Sequence, residues 1–257
     1  ITLLENNGVL KIGNRDLYVN MVNYVLSNDA TKPEVYEEIE NLIDIPDFIK
    51  YIIMRTWTCN EDWPDYNQKY WSSPDYDNKW RWILYDSDVT LNYSKDYTYN
   101  LFKFLDKTNY EFSKFSAKIF KNKELQKSFI NKYADLLNTD LHQLNTIPLL
   151  DSLCDLIKDE IPRHQVRWDS SALNWKEKIK IVKEFLEKRN TVIREQLIDL
   201  FALKGITEFF IDNNNYGKVR INSIPLEKYP DKIIYFQGIP ITLEAVPKPG
   251  YEFVSWG

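Results

Sequence analysis

Histidine and cysteine are scarce: His142, His164, Cys59 and Cys154 are the only ones in 257 residues. They form no CxxC pair and no Cys/His cluster, which argues against a zinc site. No nucleophile motif supports a Ser-His or Cys-His hydrolase. Two cysteines neither require nor forbid an oxidising compartment, and both read as buried thiols. Glycine is limited to seven residues, and no Gly-rich phosphate loop occurs anywhere. No apolar run approaches the ~20 residues a membrane helix needs. An excess of basic charge is also missing. Lys and Arg total 33 against 38 Asp and Glu, a net charge of −5. That balance argues against a basic surface for a nucleic-acid polymer and against a polybasic membrane tether. The chain opens at Ile1 with neither an initiator Met nor a signal peptide, and so reads as part of a longer protein.

Aromatic side chains are plentiful, with 17 Tyr, 13 Phe and 8 Trp, so large amphipathic rings are expected to build the core. The length suits one large domain, or one domain with a small appendage. After a turn at Asn6-Asn7-Gly8, residues 1–58 read as helical. Leu17, Met21 and Val25 recur every four positions, and Pro33 and Asp44-Ile45-Pro46 mark two helix starts. A short helix is expected near Leu101–Phe104, further helices over 110–160, a break at Pro162, and a long helix from about Asn174 to Phe201. From Ile206 the pattern alternates and turns to β, with runs at 219–221, 233–236 and 241–245. The expected tail buries Phe253 or Trp256. The fold class is thus α+β, with a mainly helical body over 1–203 and a small β-rich module over 206–257.

The informative stretch is Asp62 to Asp88, DWPDYNQKYWSSPDYDNKWRWILYDSD. Two aromatic runs flank a turn-rich centre, which predicts a β-hairpin over about 67–86. A hairpin brings the start of its first strand beside the end of its second. Asn67 and Asp86 then meet at its open end, with Asp62 on the loop leading in. Such a hard-oxygen set suits Mg²⁺ and phosphate chemistry. Taken singly, these residues are equally ordinary turn and cap residues. Protein kinases, however, space a catalytic Asp and a metal-binding Asn by five and reach a second metal-binding Asp through a short hairpin. This chain departs from the ordinary kinase pattern. Cys59-Asn60-Glu61 precedes Asp62, Pro64 follows it, Asp86-Ser87-Asp88 replaces D-F-G, and neither A-P-E nor V-A-I-K is found.

Four segments carry a family resemblance: NEDWPDYNQKYW (60–71), NKWRWILYDSDVTL (78–91), DEIPRHQVRW (159–168) and VKEFLEKRNTVIREQL (182–197). They resemble the atypical secreted kinases of the spore coat protein H (CotH) type. The resemblance covers most of residues 1–203 and implies a kinase-like C-terminal lobe whose nucleotide-clamping strands lie upstream of Ile1. It implies Asp62 as catalytic Asp, Asn67 and Asp86 as metal- and nucleotide-side residues, and Asp88 as the second acid of a D-x-D. It further implies Mg²⁺, ATP, a protein substrate with a Ser or Thr hydroxyl, and an extracytoplasmic place: secreted, cell-surface or spore-coat. The closing GIPITLEAVPKPGYEFVSWG is similar to β-repeat modules of bacterial surface proteins. The alternatives are a catalytically silent surface adhesion or scaffold protein with the same fold, and a glycan-associated protein using paired acids and aromatic stacking. Arg163, His164, Arg167 and Trp168 suit either a phosphate site or, preferentially, a structural loop lock.

Overall fold

The structure, a computed structural model, describes residues 1–64, 66–168, 175–211, 216–222 and 224–256. It is α+β, and the chain divides into two compact units, Ile1–Phe129 and Ile130–Gly257.

The first unit opens with a hairpin rather than a helix. Strands β1 (Thr2–Glu5) and β2 (Val9–Ile12) pair antiparallel. The turn between them takes positive φ at Asn6, Asn7 and Gly8, a conformation that Gly and Asn adopt at least cost and that ends any helix. Helix α1 (Arg15–Ser27) starts where Asn14 caps it, its side chain accepting from the Asp16 N–H at 2.8 Å. Its buried face is Tyr18, Met21, Val22 and Val25. Leu17, expected on that face, is 44% exposed, because the i, i+3, i+4, i+7 stripe begins one residue later. Helix α2 (Pro33–Leu42) begins on a proline, whose missing N–H costs nothing in the first turn. Helix α3 (Ile45–Trp57) begins with Asp44, whose carboxylate accepts from the Asp47 N–H at 3.0 Å.

Strands β3 (Lys69–Ser72) and β4 (Arg81–Ile83) pair antiparallel with Tyr70 opposite Trp82. The four strands form one sheet in the order β2-β1-β3-β4. Its covered face is aromatic. Tyr18 stacks on Tyr70 at 4.3 Å, and Trp82 lies 4.8 Å from Phe48 of α3 and 6.0 Å from Phe115. Phe115 belongs to α5 (Glu111–Ile119), which follows α4 (Leu101–Lys107). Full burial of each such ring is worth roughly 1.5–3 kcal/mol, so α3, α5 and the sheet hold one another in place. The first turn of α3 is also stitched to β4 by the Trp82 N–H, which donates to Asp47 at 3.0 Å.

Helix α6 (Lys123–Asn138) spans the division between the units in sequence. The second unit continues with α7 (Gln143–Ile157), α8 (Ile161–Trp168) and α9 (Trp175–Phe201). Pro162 is the second residue of α8, a tolerated position, so it opens a helix rather than breaking one. Strand β5 (Ile206–Phe209) pairs with β8 (Ile233–Phe236), while β6 (Gly217–Ile221) lies between β7 (Ile224–Pro225) and β9 (Leu243–Pro247). Strand β9 begins two residues later than the alternation suggested. Asp135 of α6 is 3% exposed and accepts from the Asn222 amide at 3.0 Å and from the hydroxyls of Tyr229 and Tyr235. Burial raises its carboxyl above the ordinary range. Phe253 and Trp256 are 46% and 47% exposed and pack on each other at 4.9 Å rather than into a core, since among the described residues no strand is formed after β9. Cys59 is buried as expected, but Cys154 is only half-buried, on a helix with no buried residue.

Candidate functional site

The site grows out of the C-terminal end of α3. Thr58 closes the helix, and Cys59 follows in the left-handed region at φ 54°, which turns the chain sharply toward Asn60, Glu61 and Asp62. Trp63 is fully buried, with its ring 4.9 Å from Phe112 and 6.0 Å from Tyr51. It anchors the loop, while its neighbour Asp62 remains exposed. The Trp63–Pro64 peptide is cis. Further on, the Tyr66 N–H donates to the Asp62 carbonyl at 2.9 Å. The Gln68 amide donates to the Pro64 carbonyl, and its backbone N–H donates to the Asn6 side chain at 2.9 Å. Loop and sheet are therefore tied at both ends.

Asn67 sits just before β3 at φ 58°, and Asp86 sits just after β4 at φ 51°. Asparagine and aspartate are the non-glycine residues that enter this region most readily. The Asn67 amide donates to the Asp62 carboxylate at 3.4 Å and to the Asp86 carbonyl at 3.3 Å. One side chain thus joins the loop before the hairpin to the segment after it. Loss of solvation raises the Asp86 carboxyl above its ordinary range. Repulsion from Asp88 and then Asp62 adds to this, while Arg55 acts in the opposite direction. Asp62, Asn67, Asp86 and Asp88 are therefore neighbours, with the three carboxylates exposed and Asn67 half-buried.

Residues that sequence reasoning passed over support this cluster. Glu61 accepts from the N–H groups of Ser94 and Lys95 at 3.0 and 2.8 Å and from the Ser94 hydroxyl. Its own N–H donates to the Val89 carbonyl at 3.3 Å, so the chain beyond Asp88 is held against the Asp62 loop. Arg55, fully buried on α3, donates through Nη2 to the carbonyls of Asn67 and Tyr85 at 2.6 and 2.8 Å. Helical spacing could have revealed it. Arg55 lies four residues after Tyr51 and seven after Phe48, on the apolar face, where an arginine is out of place. Lys69 lies 3.5 Å from the centre of the Tyr85 ring, whose hydroxyl donates to Glu5 of β1 at 3.4 Å.

Asp62, Asn67, Asp86 and Asp88 bring together oxygen donors of the kind a hard divalent cation takes, and a cation there would relieve the repulsion that Asp86 feels from its acidic neighbours. Among the described residues no three His, Cys, Asp or Glu side chains form a ready metal cage. Protein groups alone would thus leave much of such an ion's shell to water and phosphate oxygens. Arg163, His164, Arg167 and Trp168 belong to α8 of the second unit, a helix that buries no residue. Arg163 pairs with Glu160 at 3.0 Å, and Arg167 lies 5.3 Å from the centre of the Trp168 ring.

An α+β body with an Asp and an Asn five apart, followed by a hairpin that returns an acid, is compatible with a kinase-like fold. A family model described as CotH kinase protein matches residues 6–193, and the chain belongs to that family. A search of curated proteins gave no match. Among the described residues no helix is long and apolar enough to cross a membrane.

Proposed function

We propose that this chain carries the phosphotransfer site of an atypical protein kinase that uses ATP and Mg²⁺ to phosphorylate a Ser or Thr hydroxyl. The observation that carries the reading is the Asn67 amide, which joins Asp62 to the segment of Asp86 at the open end of the hairpin. Asp62, exposed on an anchored loop, orients the substrate hydroxyl and accepts its proton. Asn67 and Asp86 are the residues to hold the metal, with Asp88 beside them. Bound Mg²⁺ supplies charge neutralisation of the phosphates. The protein's share is positioning and preorganised electrostatics. By family membership we place the protein outside the cytoplasm, secreted or on a cell or spore surface. We read residues 206–257, which follow the end of the family match, as a separate β-rich module.

The test is transfer of labelled phosphate from ATP to a Ser-containing protein by full-length wild type and by Asp62→Ala. Loss of a group of this kind lowers rate by ~10²–10³, so incorporation should nearly vanish while the fold is kept. Equal incorporation by both proteins removes Asp62 from the chemistry. No incorporation by either makes the protein a silent scaffold with the family's fold.

A further inference from the structure

We propose that Arg55 is a positioning residue of this site, a buried clasp that sets the distance between Asn67 and Asp86. The inference rests on the phosphotransfer reading above. Arg55 is 0% exposed, and its Nε and Nη1 have no hydrogen-bond partner. Among the described residues no carboxylate forms an ion pair with it, and its guanidinium lies 5.1 Å from the centre of the Tyr51 ring. Burying an unpaired cation is costly, and an apolar side chain would fill a core position better. What the guanidinium does make is one pair of bonds. Nη2 donates to the Asn67 carbonyl at 2.6 Å and to the Tyr85 carbonyl at 2.8 Å.

Those two carbonyls sit at the residues that matter. Asn67 and Asp86 both hold φ in the left-handed region, at 58° and 51°, a conformation that persists where the surrounding structure holds it. The Asn67 carbonyl belongs to the first of them, and the Tyr85 carbonyl belongs to the peptide leading into the second. One nitrogen therefore fixes both peptides to α3, on either side of the hairpin's open end. Both of these bonds go to backbone carbonyls. Arg55 acts through the placement of Asn67 and Asp86, as an outer partner orients a metal ligand.

The test compares Arg55→Lys and Arg55→Gln with wild type and with Ile53→Val, a core change on the same helix. Affinity for Mn²⁺·ATP, kcat, and KM for the protein substrate are measured on the full-length protein. Outer partners of this kind are worth ~10–100-fold in metal affinity or activity. Arg55→Lys and Arg55→Gln should each weaken Mn²⁺·ATP binding at least tenfold and lower kcat, with the protein-substrate KM unchanged. Ile53→Val should stay within about twofold of wild type in all three. Arg55 variants within twofold of wild type, or Ile53→Val reproducing their losses, overturn the proposal. A wild type that binds no Mn²⁺·ATP overturns the phosphotransfer reading, and Arg55's role with it. A wild type that binds beside unaffected Arg55 variants overturns the clasp alone. Should both variants fail to fold, wild-type NMR decides. The Arg55 Nη hydrogens should exchange at least tenfold more slowly than those of exposed Arg163, and equal exchange rejects the clasp.

Discussion

Replacing Asp44 by alanine separates two contributions that the structure assigns to one carboxylate. Oδ1 caps α3 by accepting from the Asp47 N–H at 3.0 Å, and Oδ2 pairs with Arg81 Nη2 at 2.8 Å. Loss of an N-cap acid costs about 1 kcal/mol, within a range of ~0.5–2. The ion pair is partly shielded, with Asp44 24% and Arg81 12% exposed, but Arg81 keeps Asp77 at 2.5 Å as a second partner. Its loss is therefore worth about 1 kcal/mol, the upper end for a partly exposed pair. Asp44→Ala should thus cost about 2 kcal/mol. Asparagine caps as well as aspartate, so Asp44→Asn should lose only the ion pair, about 1 kcal/mol. The assay is urea unfolding followed by tryptophan fluorescence, which reports on Trp80 and Trp82 beside the helix start. In a thermal melt the alanine variant should drop by ~4–8 °C, at ~2–4 °C per kcal/mol for a chain of this size. Identical losses in both variants would mean that the cap contributes nothing. An alanine cost below about 0.5 kcal/mol would refute the account of how α3 starts.

Gly13 holds φ at 88°, and a Cβ there would lie 2.6 Å from the Ile1 carbonyl oxygen and 2.7 Å from the Thr2 Cα. Gly13→Ala should therefore cost about 2 kcal/mol or more through conformational strain and contact, read as a lowered urea midpoint; an unchanged midpoint contradicts the packing of β1. Asp135 has a carboxyl raised above its unfolded value by burial, so between the two values the native state binds more protons and stability falls as pH rises. Asp135→Asn can keep the Asn222, Tyr229 and Tyr235 donors on its remaining oxygen. It should flatten the dependence of the urea midpoint on pH from about 4 upward, and an unchanged slope excludes Asp135 as its source.

The helix starts at Pro33 and at Asp44-Ile45-Pro46 were readable because capping and proline chemistry act within a few residues. The hairpin of β3 and β4 was readable for a related reason, since two aromatic runs flank a segment rich in turn-forming residues. Strands β1 and β2 were not readable. Each has four residues, too few to show a period, and the partner that orders β1 is β3, more than sixty residues away. Leu17 misled because one residue of phase on a helix separates a buried stripe from a half-exposed one. Phe253 and Trp256 misled because apolar character reports only a preference for burial, and burial also needs a neighbouring element. At the site, Asp62, Asn67, Asp86 and Asp88 were visible as residues with a spacing. Glu61 was not, because its partners lie on a loop more than thirty residues away and are mostly backbone groups, which leave no mark in a sequence; Arg55 left only the sign of a cation on an apolar helix face.

The place of β1 in its sheet has a consequence for what happens when the chain is trimmed. Strand β1 lies between β2 and β3, with Thr2 opposite Ser72 and Glu5 opposite Lys69. The Asn6 N–H extends the seam by donating to the Gln68 carbonyl at 2.9 Å. The first dozen residues are thus a cover strip over the flank of β3. Proteolytic loss of that strip would leave the hairpin of Tyr70 and Trp82 with a raw row of peptide groups beside large apolar rings, a template on which a second molecule can add its own strand. Cleavage near Gly13 with loss of the strip should therefore raise the tendency of one molecule to pair its β3 edge with another's.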